Sequence, residues 1–230
     1  MLDLTPDEWE ALALSIKVAF WATVASLPLA VLVSYALARW RFPGRSALDA
    51  LVHLPLVLPP VVTGYLLLLT FGRQGPVGQF LESWFGIVVS FRWTGAALAA
   101  AIMSFPLMVR AIRLSIEAVD RRYEHAGATL GANPIMVFLL ITLPLALPGL
   151  LAGSVLGFAK ALGEFGATIT FVSAIPGETR TVPATIYGYL QTPGGEDAAL
   201  RLSIIAVAIS MAALLASELI SRRLPSRSGT

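Results

Sequence analysis

The chain has 230 residues, of which 57% are hydrophobic and 13% charged, with a mean hydropathy of +0.78; soluble domains carry about a quarter charged residues. Cysteine is absent, which excludes a disulfide framework, a thiolate metal site and a cysteine nucleophile. The net charge of +2 comes from basic residues scattered in twos and threes between apolar runs, so nucleic acid is excluded as a partner and the lipid bilayer is the implied solvent.

The N-terminal segment Met1 to Glu8 carries no basic n-region, and no small-residue cleavage site closes the first apolar run. That run is expected to stay as a membrane anchor. A spanning helix needs about 20 mostly apolar residues, and five stretches qualify. They are Ala11 to Ala38 with a kink expected at Pro28, Ala50 to Phe71 with Pro55, Pro59 and Pro60, Thr94 to about Ile112 with Pro106, about Leu139 to Ala161 with Pro144 and Pro148, and Ala198 to about Ser217. The expected fold is all-α: one transmembrane helical bundle of about five spans over residues 1–230, interrupted by a polar cytoplasmic segment at 120–138. Val77 to Trp93, broken by Gln79, Glu82 and Arg92, and the short Thr181 to Gln191 are expected to be interfacial or re-entrant helices.

Orientation follows the arginines, because cytoplasmic loops near span ends hold the basic excess. Arg39, Arg41 and Arg45 follow the first span, Arg110, Arg113, Arg121 and Arg122 surround the end of the third, and Arg222, Arg223 and Arg227 follow the fifth. Five spans put these ten of the 16 basic residues on one side. The acidic N-terminus (Asp3, Asp7, Glu8, Glu10) and loops 73–93 and 172–197 fall on the other. The expected topology is N-terminus outside, C-terminus inside; a sixth span would move the last three arginines outside.

His53, at the inner end of the second span, has no evident partner in the sequence and reads as a packing histidine. The island Arg121 to Pro134 is the one long polar interruption between spans. Its segment Glu124 to Leu130 suits a short helix, Gly131 can end it and Pro134 can start another. In the fourth span, Gly149, Gly153, Gly157 and Ala161 recur every four residues, a small-residue stripe that lets helices approach closely in lipid. It suits helix packing, a dimer seam or the wall of a substrate path. Lys160 and Glu164 sit at i and i+4 and can pair. Charges within a membrane are costly enough that such a pair is either structural or part of a path. Beyond them, Gly163-Glu164-Phe165-Gly166-Ala167-Thr168-Ile169-Thr170 places glycines and hydroxyls at a span end, where backbone and side-chain donors can face an anion. No Gly-x4-Gly-Lys-Ser/Thr phosphate loop, His-Glu-x2-His helix or Gly-x-Ser-x-Gly elbow occurs, so no ATP site, zinc-protease helix or hydrolase elbow is recognised in the chain. No metal ligand set is expected.

His125-Ala126-Gly127, three residues, Gly131, nine residues, then Ile141-x-Leu143-Pro144 resembles the Glu-Ala-Ala-x3-Gly-x9-Ile-x-Leu-Pro signature of bacterial ABC-transporter permeases. His125 stands where glutamate is usual, Gly127 replaces the second alanine, and Glu124 lies one position early. The run Gly163 to Ser173, then Ile175 to Thr181 and Gln191 to Glu196, is similar to the oxyanion branch of that family and to its molybdate permeases in particular. His53 to Val62 and Ser104 to Arg113 are similar in the same way. The resemblance extends from the first span to the fifth.

The resemblance implies a permease subunit of an ATP-driven importer in the cytoplasmic (inner) membrane of a prokaryote. Such a subunit carries molybdate, with tungstate as a second cargo, by alternating access. It implies a second copy of the chain, two ATP-binding subunits that use ATP and magnesium, and a periplasmic or extracellular molybdate-binding protein, with no cofactor held by the chain itself. Glu124, His125, Ala126, Gly127, Gly131, Ile141, Leu143 and Pro144 are then the candidate ATPase-coupling interface. Lys160, Glu164, Phe165, Gly166, Thr168 and Thr170 are the candidate path or gate. The alternatives are a sulfate or thiosulfate permease, which shares Gly-Glu-Phe-Gly, and a secondary transporter driven by an ion gradient.

Overall fold

The computed structural model describes residues 4–223. Asp3 and Arg227, two of the charges used above for orientation, lie outside them. Every regular element among the described residues is helical. In chain order these are α1 (Pro6–Arg39), α2 (Arg45–Val57), α3 (Pro60–Phe71), α4 (Pro76–Phe85), α5 (Trp93–Ala118), α6 (Arg121–Thr129), α7 (Pro134–Val137), a π-helical turn (Phe138–Thr142), α8 (Leu143–Leu145), α9 (Leu147–Leu162), α10 (Gly166–Val172), α11 (Val182–Leu190) and α12 (Glu196–Arg223).

Three of the five expected spans are continuous helices apolar over a membrane-spanning length, α1, α5 and α12, whereas the stretches expected as the second and fourth are helix pairs sharply bent at a short break. Leu58 precedes Pro59 and is extended (φ −71°, ψ 141°), the conformation that a following proline ring favours. Helix α3 therefore bends away from α2 by 113°, whereas the sequence predicts a single span from Ala50 to Phe71. The fourth span begins at Pro134 and bends by 70° at Ala146, earlier and more sharply than expected. Before Pro144 the helix widens into the π turn, with the Leu143 N–H donating to the Phe138 carbonyl. Such widening accommodates a proline that would otherwise crowd the carbonyl of residue i−4. Val77 to Trp93 becomes α4 plus an irregular stretch, and Thr181 to Gln191 becomes α11, both too short to cross.

Helix α5 is the centre of the bundle and is buried against α1 and α9. The stripe of small residues explains the second contact. A Cβ on Gly149 would lie 2.1 Å from the Ser115 Cβ, one on Gly153 3.0 Å from Ile112 Cγ1, and one on Gly157 2.6 Å from Met108 Cγ. The glycines therefore bring α9 against α5 within the chain, the close contact that drives helix association where lipid supplies no hydrophobic contrast. Ser115 donates to the Ala146 carbonyl at the bend (3.2 Å), and Ser34 of α1 donates to the Val109 carbonyl of α5 (3.0 Å).

Two ion-pair clusters fix which helix ends share a side. At one end, buried Glu8 accepts from Arg201 at 2.6 Å, and Thr5 and Glu8 form a capping box, so the starts of α1 and α12 lie together. At the other, Arg39 closes α1 beside the end of α5. This alternation is what an odd number of spans requires.

Candidate functional site

The polar island folds as the residue types imply. Asp120 caps α6 through the Arg122 N–H, and Asn133 caps α7 through the Met136 N–H, as short polar side chains do at helix starts. Between the two helices Gly131 takes φ +88°, the left-handed region, while the Ala132 N–H bonds to the Gly127 carbonyl and the Gly131 N–H to that of Ala128. This is a glycine-terminated helix end whose final carbonyls are satisfied by the reversing chain.

The candidate coupling residues divide into two faces. His125, Ala126 and Gly131 are exposed, as are Leu130 (89%) and Ile135 (70%), large apolar residues that the motif had not singled out. Glu124 and Gly127 turn inward. Gly127 is buried, and a Cβ there would sit 2.5 Å from Ile141 Cδ1, so the glycine in place of the second alanine lets α6 lie against the π turn. Leu143 is half-buried and Pro144 exposed.

Glu124 is the hub of the inward face. Its Oε1 accepts from Arg39 Nε at 3.0 Å and from the Thr142 hydroxyl at 2.7 Å. Arg39 Nη2 donates in turn to the carbonyls of Ile116 and Val119, each at 2.9 Å, at the end of α5. The Arg39 and Glu124 side chains are 8% and 13% exposed. The sequence marks Arg39 only as a topology charge, because its partner is 85 residues away and no local spacing signals the contact.

A second polar cluster joins α2 to α5. Arg113 bridges Asp49 (3.0 Å) and Glu117 (2.8 Å), and the His53 Nδ1 lies 2.8 Å from the Asp49 carbonyl oxygen. His53 is therefore not without a partner, as expected above; the residue one turn earlier supplies it.

At the candidate path, Glu164 lies beyond the end of α9, in the break before α10, and is 2% exposed. Its Oε2 accepts from the Lys160 ammonium, and its Oε1 from the Ala167 N–H at 3.1 Å. One carboxylate thus closes both sides of the break. The Thr168 hydroxyl donates to the Phe165 carbonyl (2.8 Å) and that of Thr170 to the Gly166 carbonyl (2.9 Å). Both hydroxyl hydrogens are directed to their own backbone in this conformation. Phe165 stacks obliquely on Tyr187 of α11, ring centres 5.2 Å apart, beside an apolar groove of about 590 Å³ between α11 and α12. Helix α10 crosses α3 at backbone distance. A Cβ on Gly64 would lie 2.5 Å from the Ala167 carbonyl oxygen, and one on Gly166 2.7 Å from Pro60 Cβ. The Gly-Glu-Phe-Gly run and the Pro-Pro break of the second span therefore meet, a pairing that neither motif announces alone. No group of three or more His, Cys, Asp or Glu residues suited to a metal ion occurs among the described residues.

Residues 26–227 match the family described as binding-protein-dependent transport system inner membrane component. The molybdenum transport system permease protein ModB of Escherichia coli (strain K12) is 57% identical over 226 residues, covering 98% of this chain and 99% of the relative. The protein of the same name from Haemophilus influenzae is 53% identical over 222 residues, covering 96% and 97%. In three dimensions the chain is similar to a crystal structure of a bacterial ABC transporter involved in the import of the acidic polysaccharide alginate. The TM-score is 0.76 at 17% identity, over 98% of this chain and 82% of that one, a likeness of fold.

Proposed function

Because the chain belongs to the family of binding-protein-dependent transport system inner membrane components, we propose that it is the permease subunit of an ATP-driven importer that carries molybdate. The observation that carries the substrate is identity above one half, over nearly the whole length of both chains, to two proteins named for molybdenum transport. Tungstate, of the same tetrahedral shape and charge, is a second cargo.

Two copies of the chain enclose the path, and two ATP-binding subunits, working with ATP and magnesium, dock against α6 and α7. The exposed side chains of His125 on α6, Leu130 at its end and Ile135 on α7 support this docking. A periplasmic or extracellular binding protein delivers the anion to the opposite face, beside the Glu8–Arg201 end. The N-terminus lies outside and the C-terminus inside. ATP binding draws the nucleotide subunits together and turns the path outward; hydrolysis returns it.

The path runs past the α3–α10 crossing, with Lys160, Glu164, Phe165, Gly166, Thr168 and Thr170 beside it. Lys160 is already neutralised by Glu164, so this segment presents no free cation with which to hold a dianion tightly. Weak contact suits passage, and selection then falls to the binding protein.

Reconstitution of the permease with its ATP-binding subunit and candidate binding proteins tests this reading. Hydrolysis and uptake should rise with the molybdate-loaded or tungstate-loaded protein. Stimulation by a sulfate-loaded protein and not by the molybdate form would replace molybdate with sulfate, and uptake driven by an ion gradient without ATP would sink the importer.

A further inference from the structure

Helix α6 touches the spans through one buried charged contact, and that contact reaches more than one span. We propose that Arg39 is a positioning residue for energy coupling: through Glu124 it makes α6 and the adjoining ends of α1 and α5 a single mechanical unit. The inference rests on the docking of an ATP-binding subunit against α6 proposed above.

The geometry supports a shared unit in three ways. Arg39 is the last residue of α1, and its guanidinium holds Glu124 of α6 with one nitrogen and two terminal carbonyls of α5 with another. A cation at a helix C-terminus also faces the negative end of the helix dipole, so α5 favours the arginine independently of Glu124. Glu124 in turn receives the Thr142 hydroxyl from the π turn, which brings in the start of the fourth span. All four segments therefore meet around one carboxylate and one guanidinium.

The burial of the pair gives this junction its stiffness. With both side chains almost fully enclosed, the charge-assisted bonds act in a low-dielectric surrounding, where they are strongest and where an unpaired partner is most costly. A shift of α6 by 1 Å relative to α1 would open the 3.0 Å Arg39–Glu124 bond to about 4 Å, outside hydrogen-bond range. A push on α6 is therefore conveyed to the ends of α1 and α5 rather than absorbed in the loop. The early position of the glutamate has a reason in the same geometry: Glu124 points inward to the spans while His125 points outward.

The test measures anions carried per ATP hydrolysed by the reconstituted complex, together with the amount of ATP-binding subunit that co-purifies. In Arg39→Met the ratio should fall roughly tenfold, on the scale of ordinary coupling free energies, in complexes that still assemble. Arg39→Lys, which keeps a charge for Glu124 but cannot span both carbonyls, and Thr142→Val, which keeps the ion pair, should give intermediate ratios. These two supply the readout if Arg39→Met does not assemble. Transport and hydrolysis falling together, in proportion to lost assembly, would make Arg39 a merely structural residue and overturn the proposal, as would wild-type ratios in Arg39→Lys and Thr142→Val. A wild-type complex with no oxyanion-stimulated hydrolysis would overturn the importer reading itself. A responsive wild type with an unchanged ratio in assembled Arg39→Met overturns the role of Arg39 alone.

Discussion

Gly131 offers a test in which conformation and sterics separate cleanly. Its φ is +88°, yet a Cβ built there would meet nothing of the chain itself within 4 Å. Within the chain a substitution is therefore penalised by backbone strain and not by collision, and a small side chain such as Asn or Ala tests that strain with least effect on a docked partner. An L residue in the left-handed region costs roughly 1–2 kcal/mol, a factor of about 5–30 in the population of the turn that sets α6 against α7. Asparagine tolerates this region best among non-glycine residues, and β-branched residues least. Uptake of molybdate by the reconstituted complex should thus fall in the order Gly131 wild type, Gly131→Asn, Gly131→Ala, Gly131→Val. The β-branched variant should be nearly inactive while the permease remains folded in the membrane. The open space makes the order diagnostic, because side-chain size alone would place Asn below Ala. An Asn variant worse than the Ala variant, or a Val variant with normal uptake, would refute the assignment of this turn to the coupling geometry.

Other substitutions probe the path. Gly64→Ala places a Cβ against the carbonyl of Ala167; backbone cannot rotate away, so overpacking of about 1–3 kcal/mol should separate α3 from α10, read as a lower melting temperature in detergent and reduced uptake. Glu164→Ala strands Lys160 and should destabilise by about 3 kcal/mol, at the low end for breaking a buried pair because the Lys160 side chain is 32% exposed. The double variant Lys160→Met with Glu164→Gln removes the charges but keeps an acceptor for the Ala167 N–H, and should recover the melting temperature without recovering uptake. Recovery of both would make the pair a structural clasp.

The three continuous spans α1, α5 and α12 were legible because hydropathy is a local property and a bilayer imposes a minimum length. The prolines alone do not say where the chain bends: Pro28, Pro55 and Pro106 lie inside helices that continue through them, while the breaks fall beside Pro59 and at Ala146. A proline determines that one helical hydrogen bond is missing, whereas the angle depends on what the freed halves pack against. Helix α3 turns away from α2 to reach α10, and the contact depends on two glycines a hundred residues apart, Gly64 and Gly166. The stripe at Gly149, Gly153 and Gly157 was legible as a close-packing surface. Its partner α5 was not, since α5 contributes Ser115, Ile112 and Met108, which carry no packing signature of their own.

The polar island shows the same division between local and distant causes. Its caps and turn follow from Asp120, Gly131, Asn133 and Pro134, each acting on backbone a few residues away. The surroundings of Gly127 and of the early Glu124 cannot be read locally, because their neighbours come from elsewhere in the chain, while His125 is exposed. A Cβ at Gly127 would meet the tip of the Ile141 side chain, which would have to turn aside, and Glu124 points inward where Arg39 and Thr142 receive it. Gly127 faces Ile141 and the Glu124 carboxylate accepts from the Thr142 hydroxyl at 2.7 Å, so both residues meet the π turn. The glycine and the displaced glutamate are thus parts of one arrangement, in which packing and charge both hold the short helix to the spans it is proposed to move.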